Sequence, residues 1–159
     1  MKGIVKRNDK VAFYGVENDG VLTYHRMTNF TELATSKNPK EYSRQYVDKE
    51  YEEADVVGYS PSVAYSFDQH TESAVHTDLV KIHDEELTGE DAIRSILIVD
   101  LTSEAENGFN AWVRDFAVIP DREGDSMEAY TYSGTFKVKG DKLAVVAVSA
   151  DEWRTCELA

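Results

Sequence analysis

Between Ser95 and Val148 apolar residues return at every second position in one segment after another, and a period of two is the signature of strands. Ser95–Leu101 (SILIVDL) is short, apolar and β-branched, which predicts a central strand. Ala111–Ile119 alternates Trp112, Arg114, Phe116 and Val118 with Val113, Asp115 and Ala117, so both of its faces are partly apolar. Tyr130, Tyr132, Phe136 and Val138 share one face of a strand over Glu128–Lys139. Gly140-Asp141 turns the chain into Lys142–Val148, where Leu143, Val145 and Ala147 alternate with Ala144, Val146 and Val148. Toward the N-terminus, Lys10–Val16 and Val21–His25 read as a hairpin turning at Glu17-Asn18-Asp19-Gly20, with Gly20 supplying the positive φ of the turn. Phe30–Ser36 is a further strand. Val56–Phe67 reads as one strand interrupted by Gly58 and Pro61, and Pro61 places it at a sheet edge or a bulge.

A single segment carries a helical period. Over Ser73–Asp84, Val75, Leu79 and Ile82 fall at i, i+4 and i+7, with Thr77, Asp78, Lys81 and Asp84 largely off that stripe and Gly89 as the stop. Many short strands with one helix predict a mainly β fold, a sandwich or barrel with one flanking α-helix and a long inter-strand loop. At 159 residues, with no repeat, low-complexity tract or linker, the expectation is one domain over residues 1–159.

Charge narrows the function. Thirty acidic residues against 17 basic ones give a net −13, which argues against specific nucleic-acid binding, since that needs basic surface to displace counterions from phosphates. No apolar run approaches the length of a bilayer span, and MKGIVKRNDK lacks the apolar core of a secretion signal, so no membrane partner is expected. The single Cys156 excludes an internal disulfide framework and reads as a small, partly buried residue.

Catalytic and metal-binding patterns fail on inspection. His76 and His83 lie seven residues apart on the predicted helix, about 10 Å along its axis, too far to share one metal. With His25 and His70 they complete the histidines, and a structural role flanking the apolar stripe is the simpler reading. A calcium loop starting at Asp121 would need glycine at 126 and glutamate at 132, where this chain has Ser126 and Tyr132. Neither a G-x-S-x-G elbow nor a phosphate loop occurs. The chain therefore reads as a non-enzyme with no cofactor and no metal.

The stretch from Asn38 to Gln69 (NPKEYSRQYVDKEYEEADVVGYSPSVAYSFDQ) is of a different kind. Its first half sets Tyr42, Tyr46 and Tyr51 among charges with no apolar period, a loop over Lys37–Ala54. Loops of that length inside a small domain are usually functional or disordered, and rigid aromatics argue for function. Asn38–Asp48, Gly58–Gln69, Gly89-Glu90-Asp91-Ala92-Ile93-Arg94 and the hairpin-like Tyr132–Asp141 together resemble the major tail tube proteins of long-tailed bacteriophages and prophages. The similarity extends over about Lys10 to Val148.

That resemblance implies a virion structural protein with a β-sandwich and one helix, self-assembling into stacked, six-membered rings that form a conduit for DNA. It implies as partners further copies of the chain and other tail proteins such as the tape measure and tail terminator. DNA would pass without tight binding, repelled by carboxylates within a Debye length of about 8–10 Å. The implied location is the virion tail, after synthesis in the bacterial host cytoplasm. Inner-tube proteins of contractile tails and secretion-like systems share the plan and remain an alternative. In the family the corresponding loop reaches a neighbouring subunit or ring, which makes Lys40, Tyr42, Arg44, Tyr46, Lys49 and Tyr51 the interface candidates. Two other readings stand beside it: the loop folded back on its own sandwich, and the whole chain as a stand-alone acidic β-sandwich binding module. A hydrolase using carboxylates is the most distant.

Overall fold

A computed structural model of the chain describes residues 3–124 and 127–158. Eleven strands are found among them: β1 (Lys10–Asn18), β2 (Val21–Arg26), β3 (Phe30–Ser36), β4 (Pro39–Arg44), β5 (Glu53–Tyr59), β6 (Ser62–Asp68), β7 (Ile93–Ala105), β8 (Gly108–Glu123), β9 (Thr131–Val138), β10 (Leu143–Val148) and β11 (Thr155–Leu158). One α-helix, α1 (Ala74–Asp84), lies between β6 and β7 among the described residues, followed by a short 3-10 turn at Gly89–Ala92. The nine-stranded sheet runs β10-β11-β2-β1-β7-β8-β9-β6-β3, and β10 also pairs with β8. That extra pairing closes β10-β11-β2-β1-β7-β8 into a six-stranded barrel and leaves β9-β6-β3 as a flap continuing from β8.

β8 makes both arrangements possible because it is long. Its first part, Phe109–Val113, pairs with β10, while Phe116–Glu123 pairs with β9. The β-rich fold with one flanking helix is as the alternation predicts. The closing segment is not the hairpin that Gly140-Asp141 suggests, since β9 pairs with β6 and β8, and β10 with β8 and β11.

Strands buried on both faces explain why alternation in β1, β7 and β8 is apolar on both parities. Val11 and Phe13, Leu97 and Val99, and Ala111 and Val113 point into the barrel, where they meet Tyr24, Ala147 and Cys156. Ala12 and Tyr14, Ile96, and Phe116 and Val118 point the other way, toward α1 and the flap. This second core also holds Val63, Tyr65, Phe67, Tyr132 and Phe136 of β6 and β9. The Tyr65 ring stacks on Phe136 at 4.4 Å and Phe67 stacks on Tyr132 at 5.5 Å, the offset geometry that aromatic quadrupoles favour.

α1 begins where Ser73 caps it, the Ser73 hydroxyl accepting from the His76 amide at 3.2 Å. Val75, Leu79 and Ile82 are fully buried, as the i, i+4, i+7 stripe requires. The helix ends at Asp84 rather than at Gly89: Glu86 adopts φ 50° and the Leu87 amide donates back to the Ile82 carbonyl. A polar clamp fixes its position. The Tyr14 hydroxyl donates to Asp78 at 2.5 Å and Arg94 Nε donates to the same carboxylate oxygen at 2.7 Å, joining α1 to β1 and β7.

The turn between β1 and β2 is as expected, with Asp19 at φ 53° and Gly20 at φ 80° forming a two-residue hairpin loop. The Val56–Phe67 segment differs. It is two strands, because Pro61 cannot donate to a ladder and the chain breaks at Ser60-Pro61. β6 is no edge strand either, since β3 and β9 flank it.

Gly134 shows how tightly the flap packs. A Cβ there would stand 2.5 Å from the Ile119 carbonyl oxygen and 2.6 Å from the Tyr65 hydroxyl. Gly134→Ala is expected to destabilise the protein by about 1–3 kcal/mol, read from urea unfolding, through forced displacement of β8 from β9. A change under about 0.5 kcal/mol would show that the contact yields freely.

Candidate assembly interface

The segment between β3 and β6 is long, as the sequence indicates, but it is built rather than irregular. β4 and β5 form their own two-stranded sheet, with Tyr42 opposite Asp55, Arg44 opposite Glu53 and a bulge between Lys40 and Glu41. The polar character that suggests a loop reflects a hairpin with solvent on both faces: no residue of β4 or β5 is fully buried. Only residues 45–52 at the tip lie outside its strands. The base is held by Asn38, whose side-chain amide donates to the Ser60 carbonyl at 3.0 Å and to the Ser62 hydroxyl at 3.1 Å.

Arg44 organises the hairpin from within. Its guanidinium meets Asp55 at 2.7 Å and Glu53 at 3.7 Å, and donates from Nε to the Tyr46 hydroxyl at 2.8 Å. It also lies over the rings of Tyr42 and Tyr46, with centroids at 5.3 and 5.5 Å. Lys49 pairs with Glu53 and approaches Tyr46. These two cations thus meet carboxylates of their own hairpin, while Lys40 extends along the strand near the base, exposed. Such exposed pairs set shape more than stability.

The tyrosines do not fold back as a satellite core. Tyr42, Tyr46 and Tyr51 are 56%, 48% and 76% exposed, and Tyr51 stands at the tip. Val56, Val57 and Tyr59 of β5 are exposed too, residues that sequence reasoning assigned to a strand and not to the interface. The signal was present: Val56 and Val57 are apolar on both parities, which a half-buried strand does not need. A lone two-stranded hairpin is marginal in water, so one carrying this much exposed apolar surface suits contact with another surface.

The two helix histidines have structural partners. His76 is buried with both ring nitrogens used: the His70 amide donates to Nδ1 at 3.0 Å and Nε2 donates to the Thr28 carbonyl at 2.8 Å. His83 Nε2 lies 2.6 Å from the Tyr65 hydroxyl. Among the described residues no cluster of three His, Cys, Asp or Glu could hold a metal ion. Two positions of the acidic 121–128 turn, Asp125 and Ser126, lie outside the described residues. Cys156 is buried against Phe13 and its neighbours, and burial pushes its thiol up to about 12, a poor nucleophile.

Burial holds both buried histidines below the ordinary value of about 6.5. The unfolded chain then binds more protons than the folded one just under that pH. Their contribution is fully present above about 6.5 and is lost as pH falls from there through their lower folded-state values. Ring resonances of His76 and His83 followed by NMR should titrate with midpoints below about 6.5; a midpoint at or above that value would contradict the buried, neutral assignment.

No sequence-family profile matches the chain, and no curated protein matches it in sequence. Solved structures match its shape. The SPP1 tail tube aligns with a TM-score of 0.70 at 10% identity, over 92% of this chain and 81% of that one. The tail of the empty GTA particle, solved with C6 symmetry, aligns at 0.63 and 9% identity over 88% and 98%. The six-fold symmetrised baseplate of the anti-feeding prophage aligns at 0.54 and 10% identity over 92% and 98%. The fold is that of tail tube proteins.

Proposed function

We propose that this chain is a tail tube subunit that assembles into stacked, six-membered rings forming a conduit for DNA delivery. The observation that carries the reading is the β4–β5 hairpin, which projects aromatic and aliphatic side chains into solvent from a fold shared with tail tubes. Lys40, Tyr42, Arg44, Tyr46, Lys49 and Tyr51 are the interface residues in this account, with Val56, Val57 and Tyr59 added. Arg44 and Lys49 act by holding the tyrosines in place. Tape measure and tail terminator proteins are the further partners, and the virion tail is the location.

Two features of the flap suit a tube. β3 ends the sheet, leaving one of its edges open for a neighbour's strand, which would remove the edge as ring closure does. The flap face turned from the core carries Ser62, Ala64 and Ser66 of β6 beside Thr131, Ser133 and Thr135 of β9. Short hydroxyl and methyl groups make a smooth lining, and Lys137 adds one cation to it. On a chain of net charge −13, phosphates would find little to hold them.

An inner tube of a contractile apparatus is the second reading, favoured by the likeness to the anti-feeding prophage baseplate. Both readings require self-assembly. Tyr42→Ala combined with Tyr46→Ala is expected to shift the thermal midpoint by no more than a few degrees, as exposed substitutions do. The same variant should raise the concentration needed for polymerisation roughly tenfold or more, followed by sedimentation velocity. Polymerisation of the folded double variant at the wild-type concentration would remove the hairpin's role.

A further inference from the structure

A cleft of about 260 Å³ opens between the outer face of β1-β7-β8 and strand β3. Its floor is apolar, formed by Ala12, Ile96, Ile98, Trp112, Phe116, Val63 and Leu33, and its rim carries Arg7, Lys10, Lys37, Arg114 and Lys142. Five of the chain's 17 basic residues therefore line one opening, and among the described residues no carboxylate lines it. In a chain with 30 acidic residues this segregation is unexpected.

None of the five takes part in an ion pair among the described residues. Arg7 donates to the carbonyls of Lys10 and Leu33, and Arg114 to that of Gly140. Lys142 lies 4.4 Å above the Trp112 ring and Lys10 lies 5.9 Å from it. Burial and the neighbouring Lys37, Arg114 and Lys10 depress the Lys142 ammonium below its ordinary value. Lys10 faces Asp100 across the β1–β7 ladder, which leaves Arg7, Lys37, Arg114 and Lys142 as the cations without a facing carboxylate among the ion pairs and ladder partners of the described residues. An apolar slot ringed by such cations fits an apolar group flanked by carboxylates.

The chain carries such a group at the tip of its hairpin, where the most exposed interface tyrosine sits in Glu50-Tyr51-Glu52-Glu53. We propose that the cleft is the receptor for this tip from a second copy, Tyr51 entering the slot while Glu50 and Glu52 meet the Lys37 and Lys142 ammonium groups. Reach excludes the same copy's tip. Lys37 and Pro61 line the cleft at the base of the hairpin, and the six residues of β4 carry the tip about 20 Å away from it. A volume of 260 Å³ is below the roughly 300–1,000 Å³ of small-molecule pockets and suits a side chain or two. Tip and cleft are different surfaces, so the contact is head-to-tail and propagates from copy to copy. The inference rests on the hairpin being an assembly element and names what receives it.

Directed cross-linking of full-length chains tests it. Chains carrying Tyr51→Cys are mixed with chains carrying Thr35→Cys on the cleft wall, with Cys156 buried and unreactive. Mixed disulfide dimers should form roughly tenfold faster than Tyr51→Cys homodimers. Lys37→Glu with Lys142→Glu in the cleft chain should abolish the excess, and Glu50→Lys with Glu52→Lys in the tip chain should restore it. Heterodimers forming no faster than homodimers, or an excess indifferent to the cleft charges, would overturn the proposal. Tubes that persist without the cross-link would refute the receptor alone, whereas a charge-dependent cross-link in a chain that never forms tubes would refute the tube alone.

Discussion

Burial of one three-stranded sheet on both faces is the constraint on which the rest of the molecule depends. β1, β7 and β8 send odd-numbered residues such as Phe13, Leu97 and Val113 into the barrel and even-numbered ones such as Tyr14, Ile96 and Phe116 toward α1 and the flap. Each strand thus belongs to two cores, and a one-residue slip would exchange both at once. The register is fixed twice over. β8 is long enough to serve the barrel with one end and the flap with the other, which is what lets a closed barrel and an open sheet edge coexist in one chain.

That rigid centre leaves the β4–β5 hairpin free of any folding duty. The hairpin is held by its own ladder, by Arg44 and by the Asn38 contacts at its base, and it contributes nothing to either buried cluster. Its exposed tyrosines and valines lie in a chain whose acidic surplus would otherwise keep copies apart. In the docking proposed above, the cationic cleft would address this conflict locally, concentrating positive charge where an acidic tip arrives and favouring one geometry over non-specific association.

Much of this was legible in the sequence where one period dominated. The presence of strands β7 to β10, the Asp19-Gly20 turn and the Val75-Leu79-Ile82 stripe each follow from a local pattern with one physical reading. The hairpin was not legible, because two-sided exposure erases the hydrophobic alternation by which a strand is recognised. Pro61 misled in the same region: it marks a junction between two strands and not an edge, since β6 is paired along both sides. β11 is four residues long, too short to show a period. The partnership of β10 with β8 could not be read from the chain because it is a long-range closure. The cleft was invisible for a related reason, as Arg7, Lys37, Arg114 and Lys142 are scattered in sequence and meet only when the flap folds over the barrel. Of the hairpin residues singled out, Tyr42, Tyr46 and Tyr51 are exposed, whereas Arg44 and Lys49 prove to be occupied within it.

Negative-stain electron microscopy of the purified chain over a concentration series is the most direct test of self-assembly through these surfaces. The account predicts stacked rings or tubes of uniform width that become longer and more numerous with concentration. A chain that remains monomeric at every concentration, including in the presence of preformed tube seeds, would contradict it and leave an acidic β-barrel that binds something other than itself.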